Sequence, residues 1–150
     1  MVDEETIDGA GSDSAAQTQA ARFQRVRDAH QTEVAEDYVE LIAKLIDETG
    51  EARAVDLAEW LGVSKPTVNN TIQRLQRDGL VTSKPYRSIF LTDAGRRMAD
   101  MARERHHVVR EFLIALGVSP ETAESDAEGI EHHVSEETLA LFKAFAQKQE

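Results

Sequence analysis

Apolar residues recur at three- and four-residue steps through residues 23–48, where Val34, Tyr38, Leu41, Ile42, Leu45 and Ile46 form one stripe. That period belongs to an amphipathic helix, and Gly50 supplies its end. The pattern then shortens. Residues 54–61 and 65–78 predict two brief helices joined by Gly62-Val63-Ser64. Ser64 is a hydroxyl cap for the second, Pro66 suits its first turn, and Gly79 stops it. Leu80-Val81-Thr82 and Ile89-Phe90-Leu91 predict two short strands around a polar, basic loop at 83–88. Thr92-Asp93-Ala94-Gly95 opens a long helix to about 116, with Met98, Met101, Ala102, Val109, Phe112, Leu113 and Leu116 on its apolar face. Ser119-Pro120-Glu121 starts another to about 133. Ser135-Glu136-Glu137 repeats that chemistry for a last helix to about 148, carrying Leu139, Leu141, Phe142 and Phe145.

The two short helices and the hairpin predict a winged helix-turn-helix. Ala58 lets the helices approach, Gly62 permits a left-handed turn, and Val68 anchors the second helix. Val68, Ile72 and Leu75 then face inward. Lys65, Thr67, Asn69, Asn70, Gln73, Arg74 and Arg77 stay outside, with Lys84 and Arg87 on the wing. Amides of this kind pair in bidentate fashion with adenine, and cations and hydroxyls suit phosphate. Lys65, Thr67, Asn69, Asn70, Gln73 and Arg87 are the candidate DNA-binding residues. The fold class is therefore mainly α, a winged helix-turn-helix over 22–93 followed by an all-helical domain over 94–150. Such a motif also occurs in proteins that bind no DNA.

Charge sharpens this division. The net charge of −11 argues against nucleic acid as a partner until its placement is considered. Residues 53–92 carry six cations and three anions, a local excess of +3, which leaves −14 for the rest. A basic middle between acidic ends suits a DNA-binding lobe attached to something else. Residues 1–21 hold five acids and no Lys or Arg, with Gly9 and Gly11 adding freedom. They read as a disordered acidic tail, or as an arm that orders on a partner. No apolar run approaches the ~20 residues of a membrane span. The acidic start is not a signal peptide. A cytoplasmic protein is the expectation. Cysteine is absent, which excludes disulfides and thiolate metal sites.

Three helices place ligand-type residues on or beside their apolar faces. Glu128, Glu131 and His132 share one helical face at i, i+3 and i+4. Asp37 and Glu40 stand three apart on the first long helix, and His106 falls beside Ala102, Val109 and Leu113. Each has a bland reading: a Glu40–Lys44 surface pair, a hydrogen-bonded core histidine, a hydrated polar face. Together they are four carboxylates and two imidazoles, and burying so many anions without a cation is costly. An oxygen majority with no thiolate suits Mn(II) or Fe(II). The affinity order lets Fe(II), Co(II) or Zn(II) bind the same donors in vitro.

The stretches Glu36-Asp37-Tyr38-Val39-Glu40, Glu104-Arg105-His106 and 126–135, behind a winged helix-turn-helix, resemble the manganese-responsive branch of the diphtheria-toxin-repressor family of metal-dependent transcriptional regulators. The match runs from about 22 to 148. It implies a binuclear site with two Mn(II) per subunit. Asp37, Glu40, His106 and Glu131 would surround one ion, and Glu128, Glu131 and His132 the other, with Glu40 and Glu131 bridging. It implies a homodimer through Phe112, Leu113, Leu116, Leu139 and Phe142, a palindromic operator in double-stranded DNA, and repression of manganese-uptake genes. It implies no enzyme activity, no membrane partner and no small organic ligand. His133 receives no ligand role. Three alternatives remain: an iron-responsive member of the family, a metal-independent winged-helix regulator, and a dinuclear metallohydrolase.

Overall fold

A computed structural model of the chain describes residues 9–84 and 87–149, with side chains from Ser14. Helix α1 runs Gly9–Thr49, α2 Ala54–Leu61 and α3 Lys65–Arg77. Strands β1 (Val81–Thr82) and β2 (Phe90–Leu91) follow, then α4 (Asp93–Leu116), α5 (Pro120–Ile130) and α6 (Glu136–Lys148). The strands pair antiparallel, Val81 opposite Leu91 and Thr82 opposite Phe90.

The winged helix-turn-helix closes on itself. Tyr38, Ile42 and Leu45 from α1 pack with Leu57, Val68, Ile72, Leu75, Val81 and Ile89 in one apolar core. Gly62 caps α2 at φ 67°, the left-handed turn that lets α3 fold back. Ser64 accepts from the Thr67 amide at the start of α3. The wing is tied down at both ends. Ile89 N–H donates to Ala52 O at 2.7 Å, and Thr92 Oγ1 donates to Gly79 O at 2.6 Å. α4 leaves this lobe through a close approach. A Cβ on Gly95 would lie 2.0 Å from Leu80 O, so only glycine admits α4 beside β1. α4 then acts as a spine, packed on α1 along one side and on α5 and α6 along the other.

Two differences from the sequence pattern matter. Residues 9–21 begin α1 where the composition predicts a disordered tail; residues 1–8 of that tail lie outside the described residues. The run Ala15-Ala16-Gln17-Thr18-Gln19-Ala20-Ala21 is rich in good helix formers. Residues 14–28 are all exposed, so this extension relies on backbone bonds and local pairs such as Gln24 Nε2 to Asp28 Oδ1 at 2.7 Å. Val34, expected in the buried stripe, is 39% exposed, whereas its neighbour Ala35 packs against the core. Second, α5 ends at Ile130, and residues 131–133 form a turn. His133 N–H donates three residues back to Ile130 O at 3.0 Å, so the helix tightens there. Glu131 and His132 are therefore delivered inward by a turn, while His133 is left exposed.

Candidate metal centre and nucleic-acid interface

The seam between α1, α4 and the end of α5 clusters five of the six predicted ligands, with Glu40 outside the clusters but within their electrostatic reach. α1 contributes Asp37 and Glu40, α4 contributes His106, and α5 with its following turn contributes Glu128, Glu131 and His132. Glu131 is central and 1% exposed. Its Oε1 lies 3.4 Å from His106 Nδ1 and 3.6 Å from His132 Nε2. Glu128 Oε1 is 3.6 Å from His106 Nδ1, and Asp37 Oδ1 is 3.0 Å from His132 Nε2. The pairing sets His106 with Glu128 and Glu131, and Asp37 with His132 and Glu33.

Each histidine is held from behind. His132 Nδ1 donates to Glu36 Oε2 at 2.8 Å, and Arg105 pairs with the same carboxylate. His106 Nε2 bonds to Glu124 Oε1 at 2.8 Å, and Arg110 Nε holds the other oxygen of Glu124 at 2.8 Å. The opposite ring nitrogens, His106 Nδ1 and His132 Nε2, face the carboxylates without hydrogen-bond alignment, and both oxygens of Glu131 also lack a donor. A carboxylate on one ring nitrogen and a free opposite nitrogen is the usual arrangement behind metal-ligating histidine. Buried polar atoms without partners are rare. Four such atoms lie along this seam, beside an equally unpartnered Arg105 Nε, and the two triads His106–Glu128–Glu131 and Asp37–His132–Glu33 have the donor types for divalent cations.

The electrostatics agree. Burial, then the charges of Glu131 and Glu128, push the Glu40 carboxyl up to about 7. Burial first, with Glu131 and Asp37 adding to it, also raises Glu128, though nearby His106 opposes the rise. The adjoining Glu131 carboxylate, helped by Glu124 and opposed by burial, lifts His106 to about 9. Burial opposes charge on His132, yet Asp37 and Glu36 carry it to about 10. In Glu36 burial is outweighed by His132 and Arg105, and the carboxyl is lowered. The site thus holds protons where it can hold metal. Glu36, Arg105 and Glu124 are not among the residues that the sequence pattern singles out. The one signal available is Glu36 at i, i+4 from Glu40 and Arg105 beside His106.

On the other lobe α3 and the wing enclose an open groove of ≈ 870 Å³. Lys65, Asn69, Gln73 and Arg87 line it, joined by Arg53, Gln76 and Lys84. Asn70 is exposed outside it, and Thr67 Oγ1 is engaged with Ser64 Oγ at 2.9 Å. Arg53 and Gln76 were not among the predicted contacts. In the C-terminal lobe Phe112 stacks on Phe142 with centroids 3.9 Å apart. Leu116 and Leu141 beside them are 55% and 65% exposed.

Two family models together match most of the chain. Residues 30–89 match the iron dependent repressor N-terminal DNA binding domain, and 92–149 the iron dependent repressor metal binding and dimerisation domain. The transcriptional regulator MntR of Escherichia coli O6:H1 is 56% identical over 126 residues, covering 84% of this chain and 81% of that one. The HTH-type transcriptional regulator MntR of Geobacillus kaustophilus is 42% identical over 100 residues, covering 67% and 71%. Among solved structures, a manganese-dependent transcriptional repressor in complex with manganese superposes with a TM-score of 0.69 at 32% identity. That match covers 75% of this chain and 52% of the other, so this chain spans about half the length of the solved relative.

Proposed function

This chain belongs to the iron-dependent repressor family of metal-dependent transcriptional regulators, and from that membership we propose that it is a manganese-responsive, DNA-binding homodimer that represses manganese-uptake genes in the cytoplasm. The observation that carries the reading is the pair of histidines, each anchored by a carboxylate on one nitrogen and open on the other towards Glu131. We place the boundary between the DNA-binding and the dimerisation and metal-binding domains near residue 93, after an N-terminal segment of about 21 residues. The oxygen-rich donor set favours Mn(II) over Zn(II), and the manganese-dependent relatives support the same choice.

Asp37, Glu40, His106, Glu128, Glu131 and His132 are the proposed ligands, enough for two ions with Glu131 shared. A bound metal would replace the histidine protons as the positive charge among these carboxylates. The residues do the rest. Asp37 and Glu40 ride on α1, which packs into the winged lobe through Tyr38 and Ile42. His106 rides on α4, and Glu131 and His132 on the turn after α5. Holding these together fixes α1 against the C-terminal lobe and narrows the orientations of α3 to those that fit DNA, a population shift. Dimerisation through Phe112, Leu113, Leu116, Leu139 and Phe142 sets two copies of α3 about one DNA turn apart, or a multiple, on a palindrome. Lys65, Thr67, Asn69, Asn70, Gln73 and Arg87 make the DNA contacts.

The test is fluorescence anisotropy of a labelled duplex, selected from a random pool by the Mn(II)-loaded protein. Affinity is expected to fall at least about tenfold under chelator, the scale of an ordinary allosteric coupling, and to lose its Mn(II) response in His106→Ala. Unchanged binding in chelator would sink the proposal.

A further inference from the structure

One cluster lies outside the proposed ligand set. His30 and Glu33 sit one turn apart on α1, and His133 ends the turn after α5. Glu33 Oε2 is 3.3 Å from His30 Nδ1 and 3.6 Å from His133 Nε2. The two imidazoles meet edge to face with centroids 4.9 Å apart. One donor atom from each residue lies within 4.8 Å of the other two. Ligand atoms ~2.0–2.1 Å from a tetrahedral Zn(II) stand about 3.3 Å from one another. Two of the three edges are already near that separation. The third closes by side-chain rotation, because His30 and His133 are both exposed at the rim of an open cavity that also holds Asp126.

We propose that His30, Glu33 and His133 form a third, peripheral metal site for a borderline divalent ion such as Zn(II), with one position left open to solvent. Its donors are two nitrogens and one oxygen, against an oxygen majority in the inner centre, so the two sites prefer different ions. The site pins the start of the packed part of α1 to the turn that carries Glu131 and His132. Glu33 is the link between them, since one of its carboxylate oxygens also lies within 4.8 Å of ligand atoms of Asp37 and His132.

The experiment is a count of Zn(II) per chain by native mass spectrometry on the full chain, for wild type, His30→Gln and His133→Gln. Each variant is expected to bind one ion fewer than wild type while keeping Mn(II)-dependent DNA binding. The readout is that difference of one, whatever the inner count, so a wrong stoichiometry at the inner centre does not mimic it. Co(II) gives a second readout, a visible ligand-field band present in wild type and lost in His30→Gln. Equal counts in all three proteins would overturn the site, leaving Glu33 as a surface hydrogen-bond acceptor. Loss of the inner ions along with the outer one would also overturn it, by placing His30 in the inner centre.

Discussion

Leu57, Val68, Leu75 and Val81 are 0–1% exposed in an interior built of carbon, whereas Glu131, at 1%, has neither carboxylate oxygen hydrogen-bonded. Both places exclude water, but only the first is complete. Each large apolar side chain in the winged lobe stabilises the fold by about 1.5–3 kcal/mol on burial, and it needs nothing from outside. The seam between the lobes instead buries a carboxylate that faces His106 and His132 without hydrogen-bond alignment, and its only positive partners are imidazoles carrying protons that a metal would displace. Among the described residues the buried polar side chains are Thr71, Glu131 and His132, and two of those three face the metal centre. Stability is concentrated in the lobe that reads DNA, and the unfinished interaction lies where the lobes meet. A regulator needs that division: the reader stays folded in every state, and only its orientation responds.

Glu131→Gln breaks the comparison most directly. It removes the buried charge while keeping shape, so it costs both states, the metal-bound one far more. Metal affinity falls by more than about a hundredfold, from the ~3–5 kcal/mol attached to removing one partner of a buried charge set. Near pH 7 the metal-free protein melts at a somewhat lower temperature than wild type, because the protonated His106 and His132 lose the carboxylate that supports their charge. Calorimetric titration with Mn(II) and thermal melts in chelator check the two halves. An unchanged melting point in chelator would mean that the histidines do not carry their protons against Glu131.

Leu57→Ala strikes the other side. It should destabilise the winged lobe by about 2–5 kcal/mol, by the same amount with and without Mn(II), in denaturant melts. Because the two sites are separate, its effect adds to that of Glu131→Gln within a few tenths of a kcal/mol. A Mn(II)-dependent cost for Leu57→Ala would mean that the carbon core and the seam are not independent.

The complete side of the molecule was the more legible one. Helix period, the glycine of the turn and the hydroxyl caps are local, and Ser64, Thr92, Ser119 and Ser135 each accept from an amide three residues on. The six ligand candidates were legible as residue types at helical spacing; the seam clusters Asp37, His106, Glu128, Glu131 and His132, while Glu40 stands outside those clusters. Their supports were not. Arg105 and His132 reach Glu36 across 69 and 96 residues of sequence, and no local spacing encodes a partner that tertiary packing supplies. The helical start of α1 was missed for a different reason. Its composition reads as unpacked, and it is unpacked, but propensity alone makes it helical. On a helical reading of 119–133 His133 turns away from His132 and has no ligand role; it lies instead on the turn after α5, and only the position of α1 reveals His30 and Glu33 beside it.

Protons offer a gentler probe of the unfinished side. His106 near 9, His132 near 10 and Glu40 near 7 all lie above their ordinary values in the metal-free fold. Groups with raised folded-state pKa hold their stabilisation below the unfolded value and lose it as pH climbs through the folded one. The two histidines therefore make the metal-free protein progressively less stable from about pH 6.5 towards pH 10. Metal affinity runs the other way, since both imidazoles must be free. About two to three protons should leave per chain on Mn(II) binding near pH 7, one from each histidine and the remainder from Glu40, read from calorimetry in buffers of different ionisation enthalpy. Melting in chelator should fall over the same range. A proton count near zero would mean that the histidines are not ligands.

Glu36→Gln is the smallest change and the most discriminating. Glu36 is 12% exposed at its side chain and touches no proposed ligand except His132, whose Nδ1 it holds at 2.8 Å. If it acts by orienting that ring, Gln keeps a hydrogen-bond acceptor but removes the charge that favours a metal-facing Nε2. Outer-shell changes of this kind cost about 10- to 100-fold in metal affinity. Arg105, which shares the Glu36 carboxylate, is left without its counter-charge, so part of any loss could arise from Arg105 rather than His132. Arg105→Gln in the Glu36→Gln background separates the two. Recovery of Mn(II) affinity in the double variant assigns the loss to an unpaired arginine beside the site. Persistence of the tenfold loss assigns it to the ring, and makes Glu36 a working part of the centre although it touches no ion.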